Sequence, residues 1–414
     1  MLNKNNDASN KSEALIGAII GKMSGMNKAR KKFMLTIFIM YMGLRGRYNF
    51  LNMARYGEYS EQTYRNQFEK AFDFATFNYH LYQNSLSNHC INAFDPSFIP
   101  KSGKQTDHVG MFWSGCSQKA LSGIEIGGFA IIDVDNNTGF PLEAIQTPST
   151  KELKAEGKTL INYYALLVLE RAELLQSVSK YLAVDGYFAR KDFVNPITQQ
   201  TDIEIISKLR QDANLYYIYT GKPTGLRGRP KTVDGKINMT APDKRRIRLC
   251  FEEDSIKIYE GVVYSKTLRT KIKLSYIEIW DGGKYTGRYL VLFSTDLNLN
   301  GQQIYLYYKS RYQIEFLFRD AKQFTGLTHC QARDEKKLHF HFNTSLTSVG
   351  IAKVAYFFKN RKSLDMPFSM SDVKTMHLNK IMADRIFNNL KIDLTCRKNR
   401  KVYLQALWLG KIAS

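Results

Sequence analysis

The 414-residue chain has few cysteines, a deficit of acid and no long apolar run. Its five cysteines, Cys90, Cys116, Cys250, Cys330 and Cys396, are odd in number and far apart, and no CxxC pair occurs. Neither a disulfide framework nor a zinc site is thereby indicated. The longest apolar run, Phe33 to Leu44, falls short of the ~20 residues a membrane span needs and is flanked by Lys31, Lys32, Arg45 and Arg47. The opening MLNKNNDASNKSE lacks the apolar stretch of a signal peptide. Neither an internal repeat nor a low-complexity tract is present. The expectation is a soluble protein of a reducing cytosol, with no membrane partner.

Acid is scarce beside base: 38 Asp and Glu against 60 Lys and Arg, a formal net charge of +22. Such a surplus favours a polyanion or an anionic surface as partner. It is unevenly spread. Residues 71–202 carry 10 basic and 14 acidic side chains, while the segments on either side are basic. A uniform coat of lysines for solubility would not leave one acidic segment. A chain that grips phosphate with several parts and holds metal with one would.

Hydrophobic residues make up 44%, enough for a folded core. Residues 1–82 read as helices. In NFLNMARYGEYSEQTYRNQFEKAF a short helix, a turn at Gly57 and a second helix capped by Ser60 suggest a helix-turn-helix. Thr63, Tyr64, Arg65, Asn66 and Gln67 would then point from its second helix, with Arg65 a candidate DNA contact. Residues 83–202 follow an α/β order: the strand HCINAFDPSFIP, a hairpin around Asn-Asn-Thr-Gly, a helical stretch, and the strand KYLAVDGYFAR. Residues 203–303 hold short alternating runs rich in Tyr, Ile and Val, an antiparallel β-domain by pattern. Its loop GKPTGLRGRPK offers Arg227, Arg229 and Lys231 to a phosphate backbone. Helix returns over 304–360 and in a basic tail, 361–414.

Three acids stand out by context. Asp95 lies in or at the end of one strand, and Asp185 ends another just before Gly186. Glu315 lies in YYKSRYQIEFLFRDAKQF, which reads as one amphipathic helix over 307–324. Tyr308, Arg311, Glu315 and Lys322 fall within an arc of roughly 60° on such a helix. Two strand-end aspartates and a helical glutamate can converge above a sheet edge, where hard divalent cations such as Mg²⁺ take oxygen ligands. Two such ions can stabilise both the attacking and the leaving oxygen of a phosphodiester displacement. Asp133 and Asp135 read instead as turn formers at a hairpin tip, and His108, His339 and His341 as structural.

Tyr308-x2-Arg311-x3-Glu315-x6-Lys322 resembles the YREK motif of bacterial insertion-sequence transposases of the insertion-sequence-four family, within the DDE superfamily. FDPSFIPKSGKQTDHVGMFWSG resembles the block of that family's first aspartate and YLAVDGYFARKDF that of its second. The resemblance spans roughly residues 30–350. It implies an α/β fold: an RNase H-like mixed-sheet core interrupted by a β-rich insertion, with helical DNA-binding residues before it. It implies Asp95, Asp185 and Glu315 as metal ligands, with Mg²⁺ as cofactor and Mn²⁺ able to substitute. Tyr308, Arg311 and Lys322 would hold phosphates beside the cleaved bond. Trp280 and the tyrosines of 203–303 become candidates for stacking on flipped bases. The implied activity is cut-and-paste transposition through a hairpin end. Partners would be duplex DNA (terminal inverted repeats and target) and a second copy in a synaptic dimer, at the bacterial nucleoid. Rival readings are a metal-dependent nuclease without strand transfer and a non-catalytic DNA-binding regulator.

Overall fold

The computed structural model describes residues 7–103, 105–221, 230–356 and 368–410. Five helices come first: α1 (Asp7–Lys22), α2 (Lys28–Gly43), α3 (Phe50–Tyr56), α4 (Glu61–Phe68) and α5 (Phe74–Tyr82). Asn27, Asn49, Ser60 and Asp73 start α2 to α5, each accepting a hydrogen bond from the backbone N–H three residues on. The expected helix, turn and second helix around Gly57 are present. Tyr64 of α4 is fully buried, however, and only the other side of that helix faces solvent.

Strands β1 (Cys90–Pro100), β2 (Gly110–Ser114), β3 (Lys119–Asp133) and β4 (Thr138–Thr147) follow. Then come α6 (Thr150–Ala155), α7 (Leu160–Glu170), α8 (Ala172–Val178), β5 (Tyr181–Val184), α9 (Lys191–Gln200) and β6 (Glu204–Leu209). The antiparallel segment supplies β7 (Leu215–Ile218), β8 (Val233–Lys236), β9 (Arg248–Glu253), β10 (Ile256–Ser265), β11 (Thr270–Asp281) and β12 (Lys284–Ser294). The chain closes with α10 (Gly301–Ser310), α11 (Gln313–Phe324), α12 (Glu335–Tyr356), α13 (Met370–Asn389) and α14 (Arg397–Leu407).

All these strands belong to one sheet of 12, ordered β2-β3-β1-β5-β6-β12-β11-β10-β7-β8, with β4 on β3 and β9 on β10. Only β1, β5 and β6 run parallel. Glu204–Leu209, grouped by sequence with the antiparallel segment, extends this parallel part. Val291–Ser294 of β12 pairs with Ile206–Leu209, so the β-rich segment continues the sheet edge to edge.

The stretch 307–324 is not one helix. α10 ends at Ser310 and α11 begins at Gln313, with Arg311 and Tyr312 between them still in right-handed helical dihedrals. The ladder tightens here: Ile314 N–H donates to Arg311 O and Glu315 N–H to Tyr312 O, both three residues back. The cause is tertiary. α10 packs on β6, β11 and β12, whereas α11 packs on β1, β3 and β4. A twisted sheet presents these two regions at different angles, which one straight helix could not follow.

Helix α12 is buried almost throughout between β4 and the helices α2, α5 and α13. Phe33, Phe38, Phe68, Phe74, Phe77 and Phe340 form an aromatic cluster that joins the first 82 residues to this layer. The N-terminal helices are therefore part of the main hydrophobic core.

Candidate active site

Phe94 of β1 is in register with Val184 of β5, and the strands are parallel. The next residue of each, Asp95 and Asp185, thus emerges side by side. Asp185 lies just past the end of β5, where its backbone carbonyl accepts from Ser207 Oγ of β6 at 2.9 Å. Gly186 follows because a Cβ there would approach Lys208 O to 3.1 Å.

Glu315 reaches the same place on α11, and a second glycine makes that possible. Gly128 of β3 is in register with Asp95. A Cβ on Gly128 would lie 2.6 Å from the Phe318 ring. With no side chain there, Phe318 seats against the strand and holds Glu315, one turn earlier, over the aspartates. Sequence reading missed this pair; its signal was the Gly-Gly inside the strand IEIGGFAII, since glycine in a strand marks a close approach.

Arg311 binds the three acids together. Its Nη2 donates to Glu315 Oε1 at 3.4 Å, Nη1 lies 3.9 Å from Asp95 Oδ1, and Nη2 lies 4.0 Å from Asp185 Oδ1. The guanidinium side chain is only 9% exposed and its Nε is buried without a partner. Tyr308 Oη donates to Asp185 Oδ1 at 3.3 Å, and its ring stands 5.5 Å from the guanidinium. Lys322 Nζ donates to Phe98 O of β1 at 3.1 Å. The cluster opens to solvent on one side, where Asp185 is 52% and Glu315 38% exposed.

The electrostatics follow from burial. Desolvation pushes the Asp95 carboxyl up to about 7; Arg311 opposes this, while Glu315 and Asp185 add to it. Desolvation likewise lowers Lys322, with Cys116 and Asp95 working against it. Burial raises the Tyr308 phenol to about 12, so it is a neutral donor at pH 7. Among the described residues no group of three or more His, Cys, Asp or Glu is gathered tightly enough to hold a metal ion as it stands. The three carboxylates ring the guanidinium instead. As a donor set they are all hard oxygen, the kind that divalent cations take.

Residues 88–349 match the family model for the transposase DDE domain. The chain belongs to the transposase DDE domain family. The match runs from just before β1 into α12, and so contains the whole cluster of carboxylates. No curated protein matches the chain. This transposase is an enzyme that acts on DNA, and enzymes of the DDE class use divalent metal ions. Among its described residues no helix is long and apolar enough to cross a membrane.

The other sequence candidates lie elsewhere. Arg65 is exposed on α4, donates to Glu61 at 3.0 Å and lies over the Phe50 ring. Lys231 pairs with Asp234 at 2.7 Å. Arg227 and Arg229 fall outside the described residues. Trp280 is half-buried near the tip of the β11–β12 hairpin, with Lys257 Nζ 4.0 Å from its ring and its own N–H donated to Glu278. The residues set aside are structural. Asp133 accepts from Ser87 and Asn136 in its turn. His341 is buried between Tyr41 and Gly326 O.

Proposed function

We propose that this transposase works by cut and paste, binding the terminal inverted repeats of its element, cleaving at their ends and joining the freed 3′-OH to target DNA. The observation that carries the reading is the convergence of Asp95, Asp185 and Glu315, from β1, β5 and α11, on one half-open point. The strand order β4-β3-β1-β5-β6, with three antiparallel and then parallel members, supports an RNase H-like core. The Tyr308, Arg311, Glu315 and Lys322 set supports membership in the insertion-sequence-four group.

Asp95, Asp185 and Glu315 would hold Mg²⁺ or Mn²⁺. When bound, such ions activate a water or a 3′-OH and stabilise the leaving oxygen of an in-line displacement. The fit rests on charge: three hard-oxygen carboxylates crowd one point, one of them strongly desolvated, with Arg311 among them and Lys322 nearby to balance them. Arg311, released from the carboxylates, is a fork suited to two oxygens of a phosphate. Tyr308 donates its phenol to a neighbouring phosphate oxygen, and Lys322 adds a point charge behind Asp95. This set would also serve a hairpin end, since each step is the same attack on phosphorus. Outside the core, the exposed side of α4 with Arg65, the loop with Arg227, Arg229 and Lys231, and Trp280 on its hairpin would contact DNA. Segments 1–82, 203–303 and 361–414 would serve as DNA-binding, insertion and C-terminal regions of a dimer formed on paired ends.

The test uses a plasmid carrying the element's ends, with Mg²⁺. Asp95→Ala, Asp185→Ala and Glu315→Ala should each lose strand cleavage while keeping duplex affinity, since each removes a ligand and makes the protein less negative. A Glu315→Ala protein that still cuts at the wild-type rate would refute the assignment.

A further inference from the structure

β2 is an edge strand that pairs only with β3. Register fixes the direction of its side chains. Trp113 pairs with Ala120 and Met111 with Ser122. Along β3, alternate positions from Ala120 run through Ile124 and Ile126 to Gly128, the partner of Asp95. Residues two apart share a face, and directly paired residues point the same way. Met111 and Trp113 therefore stand on the sheet face from which Asp95 rises.

That face changes character along its length. Ile124 and Ile126 are fully buried, whereas Met111 is 60% and Trp113 63% exposed. On the opposite face of β2, Phe112 and Ser114 are buried. The strand is thus firmly seated while its indole and thioether stay in water. Adjacent large apolar side chains left bare at a sheet edge mark a contact surface.

Charge and position indicate the partner. Residues 109–124 contain no acidic side chain and include Lys119. The turn that joins β2 to β3 brings Cys116 near enough to Lys322 to influence its ammonium. Lys322, bonded to Phe98 O beside the carboxylates, thus places positive charge near the hairpin that carries the apolar patch. A second copy would bring another net +22 toward this edge. A DNA duplex would bring the complementary charge and the apolar faces of its bases.

We propose that Met111 and Trp113 form a DNA contact, an apolar wedge lying against the duplex whose scissile phosphate sits at the carboxylates. Apolar side chains pressed between base steps bend a duplex and lengthen its contact with the protein. This inference rests on the transposase reading of the site.

The experiment is metal-free duplex binding by the full chain, in EDTA, with a 30-base-pair random-sequence duplex as probe. The difference in emission between the wild type and Trp113→Phe isolates the Trp113 indole, and that difference should be quenched at least twofold on binding. Trp113→Ala should weaken binding five- to tenfold with an unchanged Tm, and Trp113→Phe should recover most of the loss. Unchanged affinity together with unquenched emission overturns the wedge. So does a Trp113→Ala change that alters only the sedimentation of the free protein, since the patch would then serve a second copy. A wild-type chain that fails to bind the duplex at all would bring down the transposase reading, whereas intact binding that ignores Trp113 would bring down the wedge alone.

Discussion

Arg311 is held by three carboxylates and screened from water. In sequence it reads as an exposed charge on a helix face, whose loss would matter little to stability. Its burial changes that expectation. Arg311→Ala leaves Asp95, Asp185 and Glu315 facing one another, at a cost on the order of 1–3 kcal/mol, between the values for exposed and buried pairs. If the guanidinium and a divalent cation compete for the same oxygens, millimolar Ca²⁺ without DNA should raise the Tm of Arg311→Ala more than that of the wild type. Equal responses in thermal melts would show that they do not compete. The residue types of this cluster were legible, because acids and bases at fixed spacing can be read from the chain. Their burial was not, because it is set by elements far away in sequence.

At the scale of elements, the site depends on how α11 meets the sheet. Gly128→Val would drive a side chain into the Phe318 ring and lift the helix. A misplacement of about 1 Å can slow a reaction ~100-fold, while overpacking costs about 1–3 kcal/mol. Cleavage should therefore fall far more than stability. Gly128→Val with Phe318→Ala should restore part of the rate, and no recovery would argue that Gly128 acts in another way. Helix α12 carries a second testable group. Lys353 is fully buried, donates to Gly139 O at 2.8 Å, and desolvation lowers its pKa to about 8. Unfolded, it would titrate near 10.4. Between these values the unfolded chain binds more protons, so this lysine makes stability rise as pH climbs from about 8 to 10. Urea unfolding of Lys353→Met should lack that rise, whatever its stability at pH 7. The bounds of α2, α3, α4, β5 and the β10–β12 ladder could be read locally from caps, turns and alternation. The split at Arg311 could not, since both halves satisfy the same helical pattern.

For the whole molecule, the first 82 residues cannot be treated as a detachable DNA-reading unit. Phe33, Phe38, Tyr41 and Phe77 are fully or almost fully buried in the common core. Tyr41 Oη also meets His341 Nδ1 at 2.7 Å. Lys380 of α13 pairs with Glu13 of α1 at 3.1 Å, closing the helical layer from the other end of the chain. A chain starting at residue 83 should be insoluble or molten, as near-UV circular dichroism would report; a sharp native-like melt would contradict this packing. Probing α4 therefore calls for point changes such as Arg65→Ala in the intact protein. Duplex affinity should fall steeply with salt, because so basic a surface displaces many counterions. A flat salt dependence in binding titrations would argue against phosphate as the main contact.

The sequence by itself narrowed the partner to a polyanion or an anionic surface, through charge, and pointed to the chemistry proposed for the site, through three acids in strand and helix contexts beside Tyr308, Arg311 and Lys322. Caps, turns and alternation act over a few residues, so they are written in local order and could be read there. Tertiary structure alone decided the rest. Asp95, Asp185 and Glu315 meet only because β1 and β5 pair in parallel and because Gly128 lets Phe318 seat α11. Arg311 moves from a helix face to the centre of the carboxylates because α10 and α11 follow different parts of a twisted sheet. Met111 and Trp113 stand bare because β2 is the edge strand and their side of it is left uncovered, whereas Ile124 and Ile126 further along the same face are buried. Each of these depends on which surfaces pack across long sequence separations, and no local pattern encodes that choice.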